Sequence, residues 1–157
     1  MAITKNYENI VIEDAKLGFL NFSGRETRFN KEGNRNFVIF VDKDTADSLA
    51  EQGWAIKVRP PRDENGEEQY YLPVAVNFNF HQPPKVKMIT GKKGMVLTEG
   101  TVGELDFAHI LKADVVVRPR YWTDDRTGED RIKAYLHTLR VEVEPDYFAD
   151  EDEDIIY

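Results

Sequence analysis

The feature that most limits the fold of this chain is a two-residue alternation of side-chain character. Between Gln69 and Phe80, every second residue from Tyr70 onward is large and apolar. Because successive side chains of a strand point to opposite faces, this period indicates a β-strand. Comparable short runs, bounded by clusters of turn residues, cover residues 10–22, 36–42, 54–59, 85–90, 95–98, 113–123 and 131–144.

These runs add up to about eight strands. Only residues 45–52, between a capping Asp44 or Thr45 and Gly53, have the pattern of a short helix. Segment 102–112 is compatible with either a strand or a short helix, and residues 1–8 are expected to be loose. No strand–helix–strand rhythm is present, so the sequence predicts an all-β domain, either a sandwich or a small barrel.

The first runs also predict where the core and the corners lie. Gly18 sits inside the first run and indicates a bulge or a sharp bend, as small barrels use at their corners. The run from Asn36 to Asp42 is apolar on both faces, which is typical of a buried central strand. By the same alternation, Phe37 and Trp54 are expected in the core.

The last two runs predict a hairpin with one cationic and aromatic face. They are joined by a turn around Thr127 and Gly128, and in-register pairing would separate their alternate side chains onto two faces. One face, which includes Tyr121, is expected to be core. The other face collects Arg118, Arg120, Trp122, Arg131, Lys133 and Tyr135.

That second face predicts a site for single-stranded nucleic acid. Cations follow a phosphate backbone, and flat rings stack on unpaired bases, each stacked base contributing about 1–3 kcal/mol. The alternative is a solvated strand face on which Trp122 and Tyr135 are only cross-strand partners. Three weaker groups could extend the site: Lys85, Lys87, Lys92 and Lys93; then Arg25, Arg28 and Arg35; then Lys57, Arg59 and Tyr71.

The end of the chain, residues 145–157, has a different composition from the domain at 1–144. It carries 6 acidic residues and no basic one, whereas residues 1–144 carry 23 acidic and 21 basic residues. Such a segment repels itself and buries little apolar surface, so we expect a disordered tail. The tail consists of an acidic run and an apolar, aromatic tip: Asp150, Glu151, Asp152, Glu153, Asp154, Ile155, Ile156 and Tyr157.

The tail resembles the C-terminal tails of bacterial and phage single-stranded-DNA-binding proteins. Together with the small all-β domain, the cationic hairpin and the lysine-rich turn, it makes the chain similar to phage-type members of that family. The resemblance implies an OB-like β-barrel with one short helix and extra strands. It also implies that the tail recruits replication or recombination proteins and competes with DNA for the binding cleft.

No motif of the sequence indicates an enzyme, a cofactor or a metal. The chain contains no cysteine, its three histidines are far apart, and no glycine-rich phosphate loop is present. The acidic turn from Asp124 to Asp130 leaves a metal-dependent nuclease as a remote alternative. No apolar run reaches the ~18 residues of a membrane span, and we expect a cytoplasmic protein of a bacterial or phage-infected cell.

The sequence therefore predicts a non-enzymatic protein that coats single-stranded DNA without sequence preference during replication, recombination or repair. Two alternatives stay open: a strand-annealing or recombination mediator on a similar fold, and a module that binds only proteins. The oligomeric state, a homo-oligomer included, is also open.

Overall fold

The computed structural model describes residues 2–6 and 8–145, and in the first strand only the side chain of Ile3. Within these residues the chain forms ten strands, one α-helix and one 3-10 helix. The strands are β1 (Ala2–Asn6), β2 (Asn9–Glu13), β3 (Lys16–Asn21), β4 (Arg35–Val41), β5 (Lys57–Arg59), β6 (Gln69–Val76), β7 (Lys85–Thr90), β8 (Lys93–Leu97), β9 (Ile110–Thr123) and β10 (Asp130–Val143). Helix α1 is Lys43–Glu51, and the 3-10 helix is Val102–Phe107.

The strands form one mixed sheet in the order β1-β2-β9-β10-β6-β4-β3. Strand β5 pairs with β6, and β8 pairs with β7. Strand β10 is central, because it pairs antiparallel with β9 on one side and parallel with both β6 and β7 on the other. This centre brings the C-terminal hairpin against the strands from the middle of the chain.

A bend between β2 and β3 curls the sheet into a partly open barrel. Strand β2 pairs with β9, whereas β3 pairs with β4 at the other end of the strand order. The bend is at Asp14, whose φ is 52°, and Ala15, whose N–H donates to the carbonyl of Ala113 at 2.7 Å. The bend joins β3 directly to β2, and β2 pairs with β9. It therefore brings the β3 end of the strand order back to β9.

The barrel interior is filled by alternate residues of the strands, as the period of two requires. Phe22 and Phe37 are both fully buried and their rings stack at 5.1 Å between centroids. Trp54 is 5% exposed. The expectation that Phe37 and Trp54 belong to the core is therefore confirmed.

Several element boundaries differ from the sequence prediction for local reasons. Residues 2–6 form β1 instead of a loose end, because they pair along β2. Helix α1 begins earlier than expected, since the Asp42 carboxylate accepts the Thr45 N–H at 2.7 Å and is the N-cap. Strand β6 ends at Val76, where Asn77 accepts the Asn79 N–H at 2.9 Å and turns the chain away.

Segment 102–112 divides into the 3-10 helix and the start of β9, so both of its predicted structures occur. In the part of the chain that the structure describes, no helix is long and apolar enough to cross a membrane.

Gly18 is required by close packing as well as by the bulge expected there. The register between β3 and β4 shifts between Gly18 and Asn21, and Phe19 has a φ of 46°. A Cβ added at Gly18 would overlap Cε2 of the Phe40 ring. The ring of Phe40 therefore occupies the space that any other residue at position 18 would need.

We expect Gly18→Ala to lower the free energy of unfolding by about 1–3 kcal/mol, as overpacking does in other proteins. Gly100→Ala is the matched control, because a Cβ there meets nothing closer than 3.9 Å. Chemical denaturation of both variants measures the effect. Equal stability of the two variants would contradict this account of Gly18.

Candidate nucleic-acid interface

The cationic face predicted for the C-terminal hairpin is formed as expected. Residues directly opposite each other in an antiparallel pair project from the same face of the sheet. Strands β9 and β10 place three such pairs side by side: Arg118 with Tyr135, Arg120 with Lys133, and Trp122 with Arg131. We call these six residues the hairpin face; its role in binding stays a prediction. The opposite side differs from expectation at Tyr121, which is 58% exposed because the hairpin end extends past the core.

Tyr135 belongs to the pair of the hairpin face that lies farthest from the turn, and only 8% of its surface is exposed. Nζ of Lys133 is 5.0 Å from its ring centroid, and Cζ of Arg120 is 5.9 Å away. Burial raises the pKa of the phenol, but hydrogen bonds and charges from Lys133 and Arg120 outweigh burial and lower its pKa. The ring of Tyr135 thus gathers two cations on one patch of the sheet.

An open groove of about 490 Å³ runs beside Tyr135. The ring of Phe80 packs against that of Tyr135 at 4.9 Å, and Cζ of Arg118 lies 6.0 Å from the Phe80 centroid. Arg118 also donates a long hydrogen bond, 3.4 Å, to the carbonyl of Gln82. The groove is lined by Phe80, His81, Gln82, Arg118, Pro119, Arg120 and Tyr135.

The sequence analysis missed Phe80 and His81 as groove residues. It placed Phe80 on the apolar face of a strand that continued from Gln69 to Phe80. The turn at Asn77 and Asn79 instead carries Phe80 out of the strand and onto Tyr135. The Asn-x-Asn spacing before the two prolines is the signal that could have ended the strand earlier.

Arg131 and Trp122, at the tip of the hairpin face, differ in how available they are to contact DNA. Arg131 makes ion pairs with Asp124 at 3.4 Å and with Glu129 at 3.3 Å, so its charge is largely compensated within the turn. The acidic turn considered as a metal site is thus engaged with Arg131. Trp122 is 46% exposed, which leaves indole surface accessible for stacking.

The four lysines predicted to extend the site are divided between two places. Lys85 and Lys87 lie on β7, directly beside Thr138 and Arg140 of β10, and extend the positive surface along the barrel. Lys92 and Lys93 lie in the β7–β8 hairpin, beyond the point where β7 pairs with the end of β10. Counted along β10, that point is roughly 25 Å from Tyr135, so these two lysines are separated from the groove.

His137 marks the junction between the hairpin face and β7. The register of β9 and β10 shifts there, and Nδ1 of His137 lies 2.7 Å from Oγ1 of Thr138. Burial lowers the pKa of the imidazole, and the charges of Arg118 and Lys85 lower it further. The junction therefore concentrates positive charge while its histidine is neutral at pH 7.

The predicted loop group is mostly engaged in holding the fold. Nη2 of Arg25 donates to the Leu20 carbonyl at 3.3 Å, and Nε lies 3.8 Å from the carboxylate of Asp106. Arg28 is exposed and lies over the ring of Phe29, with 5.8 Å between Cζ and the centroid. Neither arginine contacts the groove.

Arg35 lies at the barrel end, on the inner side of the sheet. It pairs with the buried Val76, donates to the Glu99 carbonyl at 3.2 Å, and lies 5.9 Å from the ring centroid of Phe78. These contacts tie β4 to the loop before the 3-10 helix. The structure thus gives Arg35 a place in packing instead of on the hairpin face.

The third predicted group forms a second cationic and aromatic surface. The rings of Phe19, Phe40 and Tyr71, which we call the aromatic cluster, meet edge to face at 5.7 to 6.2 Å. Lys57 pairs with Tyr71 across β5 and β6, and Cζ of Arg59 lies 5.4 Å from the Phe19 centroid. Sequence reasoning found three of these five residues and missed Phe19 and Phe40.

The acidic run and aromatic tip, Asp150 to Tyr157, lie outside the described residues. Among residues 2–6 and 8–145, no group of three or more histidine, aspartate or glutamate side chains is placed to hold a metal ion.

Comparison with known proteins identifies a family and a fold. The chain matches the family model described as "Putative phage ssDNA-binding domain" over residues 1–156. No curated protein sequence matches it.

Three similar solved structures are of the single-stranded DNA-binding protein from bacteriophage Enc34. Its C-terminal truncation is 12% identical, with 88% of this chain and 87% of that chain covered and a TM-score of 0.54. Its complex with ssDNA is 14% identical, covering 90% and 89%, with a TM-score of 0.52. A third structure is 13% identical, covering 90% and 84%, with a TM-score of 0.50. At identities this low, the structural matches show a shared fold alone. That shared fold confirms the OB-like fold class expected from the sequence.

Proposed function

The chain belongs to the phage ssDNA-binding domain family, and from that membership we propose that it binds single-stranded DNA, without sequence preference, on its hairpin face. The observation that carries this proposal is the cross-strand arrangement of Arg118, Arg120 and Lys133 around the ring of Tyr135. Cations at this spacing suit successive phosphates, and the neighbouring Phe80 and Trp122 offer rings to unpaired bases.

The proposed mode of binding does not read base identity. A stacking ring accepts any base, because every base has a π face, and a phosphate contact carries no sequence information. The groove is open, so a strand can enter along its length without threading. The protein would thereby coat single-stranded DNA in the cytoplasm of an infected cell during replication, recombination or repair. No step of this function requires catalysis.

Binding to labelled oligo-dT, compared with a duplex of equal length, tests the proposal. We expect tighter binding of the single strand than of the duplex. For each phosphate contact, log K should fall by about 0.7 for every tenfold rise in salt concentration. Absence of binding at about 50 mM salt would contradict the proposal and favour a module that binds only proteins.

The tail at 145–157 is proposed to have two roles. Its six acids would occupy the hairpin face weakly when DNA is absent, because opposite charges attract at low salt. When DNA displaces the tail, Ile155, Ile156 and Tyr157 would be free to bind a basic, apolar pocket on replication or recombination proteins. The domain at 1–144 and the tail would then be separate functional units.

A chain that ends at Glu144 tests the competition. We expect its affinity for oligo-dT to rise several-fold at about 20 mM salt and to equal that of the full chain near 0.5 M, since screening removes the attraction. A full-length variant with the tail acids replaced by their amides controls for length. Equal affinity of all three chains at low salt would contradict self-competition while leaving DNA binding intact.

A further inference from the structure

The aromatic cluster lies on the same side of the sheet as the hairpin face. Tyr135 of β10 pairs with Ala75 of β6, and Tyr71 lies four residues before Ala75 on the same strand. Because alternate residues of a strand share a face, Ala75 and Tyr71 project from the same side. The two surfaces are thus connected through β6, with about 13 Å of strand between them.

Phe19 projects outward from the sheet, and packing in the core does not explain this position. Its backbone adopts a φ of 46°, in the left-handed region that a bulky side chain rarely occupies, and 52% of its surface is exposed. A positive φ at a bulky residue is costly to maintain, so the outward position of Phe19 points to a use beyond packing. Gly18 makes this position workable, because its missing Cβ leaves room for Phe40 behind the ring of Phe19.

Cations near the aromatic cluster add groups that can bind phosphates to the rings that can stack on a base. Arg59 lies over the ring of Phe19, Lys57 lies opposite Tyr71, and Lys16 lies opposite Phe40. The cations and the rings they flank come from four strands, β3, β4, β5 and β6, so their convergence is a product of the fold. A ring with accessible surface, backed by two other rings and flanked by three cations, suits a base and its adjoining phosphates.

We propose that the aromatic cluster is a second base-stacking subsite, and that one DNA strand runs from the hairpin face across β6 to Phe19. This inference rests on the proposed function. Phe19 stacks on a base, Phe40 and Tyr71 support its ring, and Lys57 and Arg59 contact phosphates. The separation of about 13 Å along β6 is short enough for a few nucleotides of one strand to span.

The affinity of Phe19→Ala for oligo-dT tests the subsite. An oligonucleotide of about 12 nucleotides is suitable, because one OB fold covers ~4–16 nucleotides. We expect a loss of about tenfold, the effect of one lost base stack. Phe29→Ala is the matched control, because Phe29 is 93% exposed and its ring is not among those of the aromatic cluster. Phe19→Tyr should retain binding.

A second measurement uses the wild-type chain and does not depend on a variant's folding. Oligo-dT with 5-iododeoxyuridine at single positions is cross-linked by light, and the attached peptide is identified by mass spectrometry. We expect cross-links at Phe19 or Tyr71 from one end of the oligonucleotide and at Trp122 or Phe80 from the other. Wild-type binding with an unaffected Phe19→Ala and no cross-link in the cluster would overturn the subsite alone. Absence of wild-type binding would overturn both the proposed function and the subsite.

Discussion

Replacing Arg120 and Lys133 together by alanine is expected to weaken the binding of single-stranded DNA by roughly 10- to 100-fold at about 50 mM salt. Both cations lie over the ring of Tyr135, and neither makes an ion pair among the described residues. They are therefore available for phosphates. A phosphate contact that adds about 0.7 to the salt slope raises the affinity about eightfold at ~0.05 M salt. Two such contacts therefore raise the affinity about 60-fold.

The slope of log K against log salt should fall by about 1.4 in this variant. Lys92→Ala with Lys93→Ala is the matched control: it removes the same charge from the far end of the β7–β8 hairpin. Fluorescence anisotropy of labelled oligo-dT at several salt concentrations measures both quantities. Equal losses in the two double variants would show that binding depends on net charge, not on the hairpin face.

Replacing Trp122 by alanine is expected to weaken oligo-dT binding by about tenfold, since one stacked base contributes about 1–3 kcal/mol. Trp122 is 46% exposed on the hairpin face, directly opposite Arg131. Its loss should leave the salt slope almost unchanged, because an indole contacts a base and releases no counterion. This separates its effect from that of the double cation variant.

Tyr121→Ala is the matched control for Trp122→Ala. Tyr121 is the preceding residue of β9, is 58% exposed, and projects from the opposite side of the hairpin. Isothermal titration of both variants with the same oligonucleotide gives the comparison. If Tyr121→Ala were the weaker binder, DNA would lie on the other side of the hairpin and the proposed interface would be wrong.

The parts of the site that follow from local sequence were predictable. The hairpin has a short turn and a strict alternation, so the partners of Arg118, Arg120 and Trp122 follow from counting outward from the turn. Phe37 and Trp54 are buried, as alternation predicts, but Trp54 precedes β5, and Val58, four residues further on in the same phase, is 50% exposed.

The residues that sequence reasoning missed depend on local backbone exceptions. Phe80 reaches Tyr135 because an asparagine side chain ends β6 early, and Phe19 projects outward because its φ is positive. Phe40 belongs to a run that is apolar on both faces, so alternation could not separate a core ring from an outward one. In each case the hydrophobic pattern is the same as for a buried residue.

The cations were harder to rank because their partners are distant or irregular. Arg35 donates to the carbonyl of Glu99, 64 residues away, and no local pattern predicts that contact. Arg131 is compensated by Asp124 and Glu129 through the shape of the turn. A count of charges per strand identified the surface but could not tell which cations remain available for DNA.

The most direct test of the account is intrinsic tryptophan fluorescence during titration with poly-dT, in the wild-type chain and in Trp122→Phe. The chain has two tryptophans, and Trp54 is buried in the core at 5% exposure. The account predicts quenching that salt reverses, and loss of most of that quenching in Trp122→Phe while anisotropy still reports binding. Unchanged quenching in the variant, or none in the wild-type chain at low salt, would contradict a DNA site on the hairpin face.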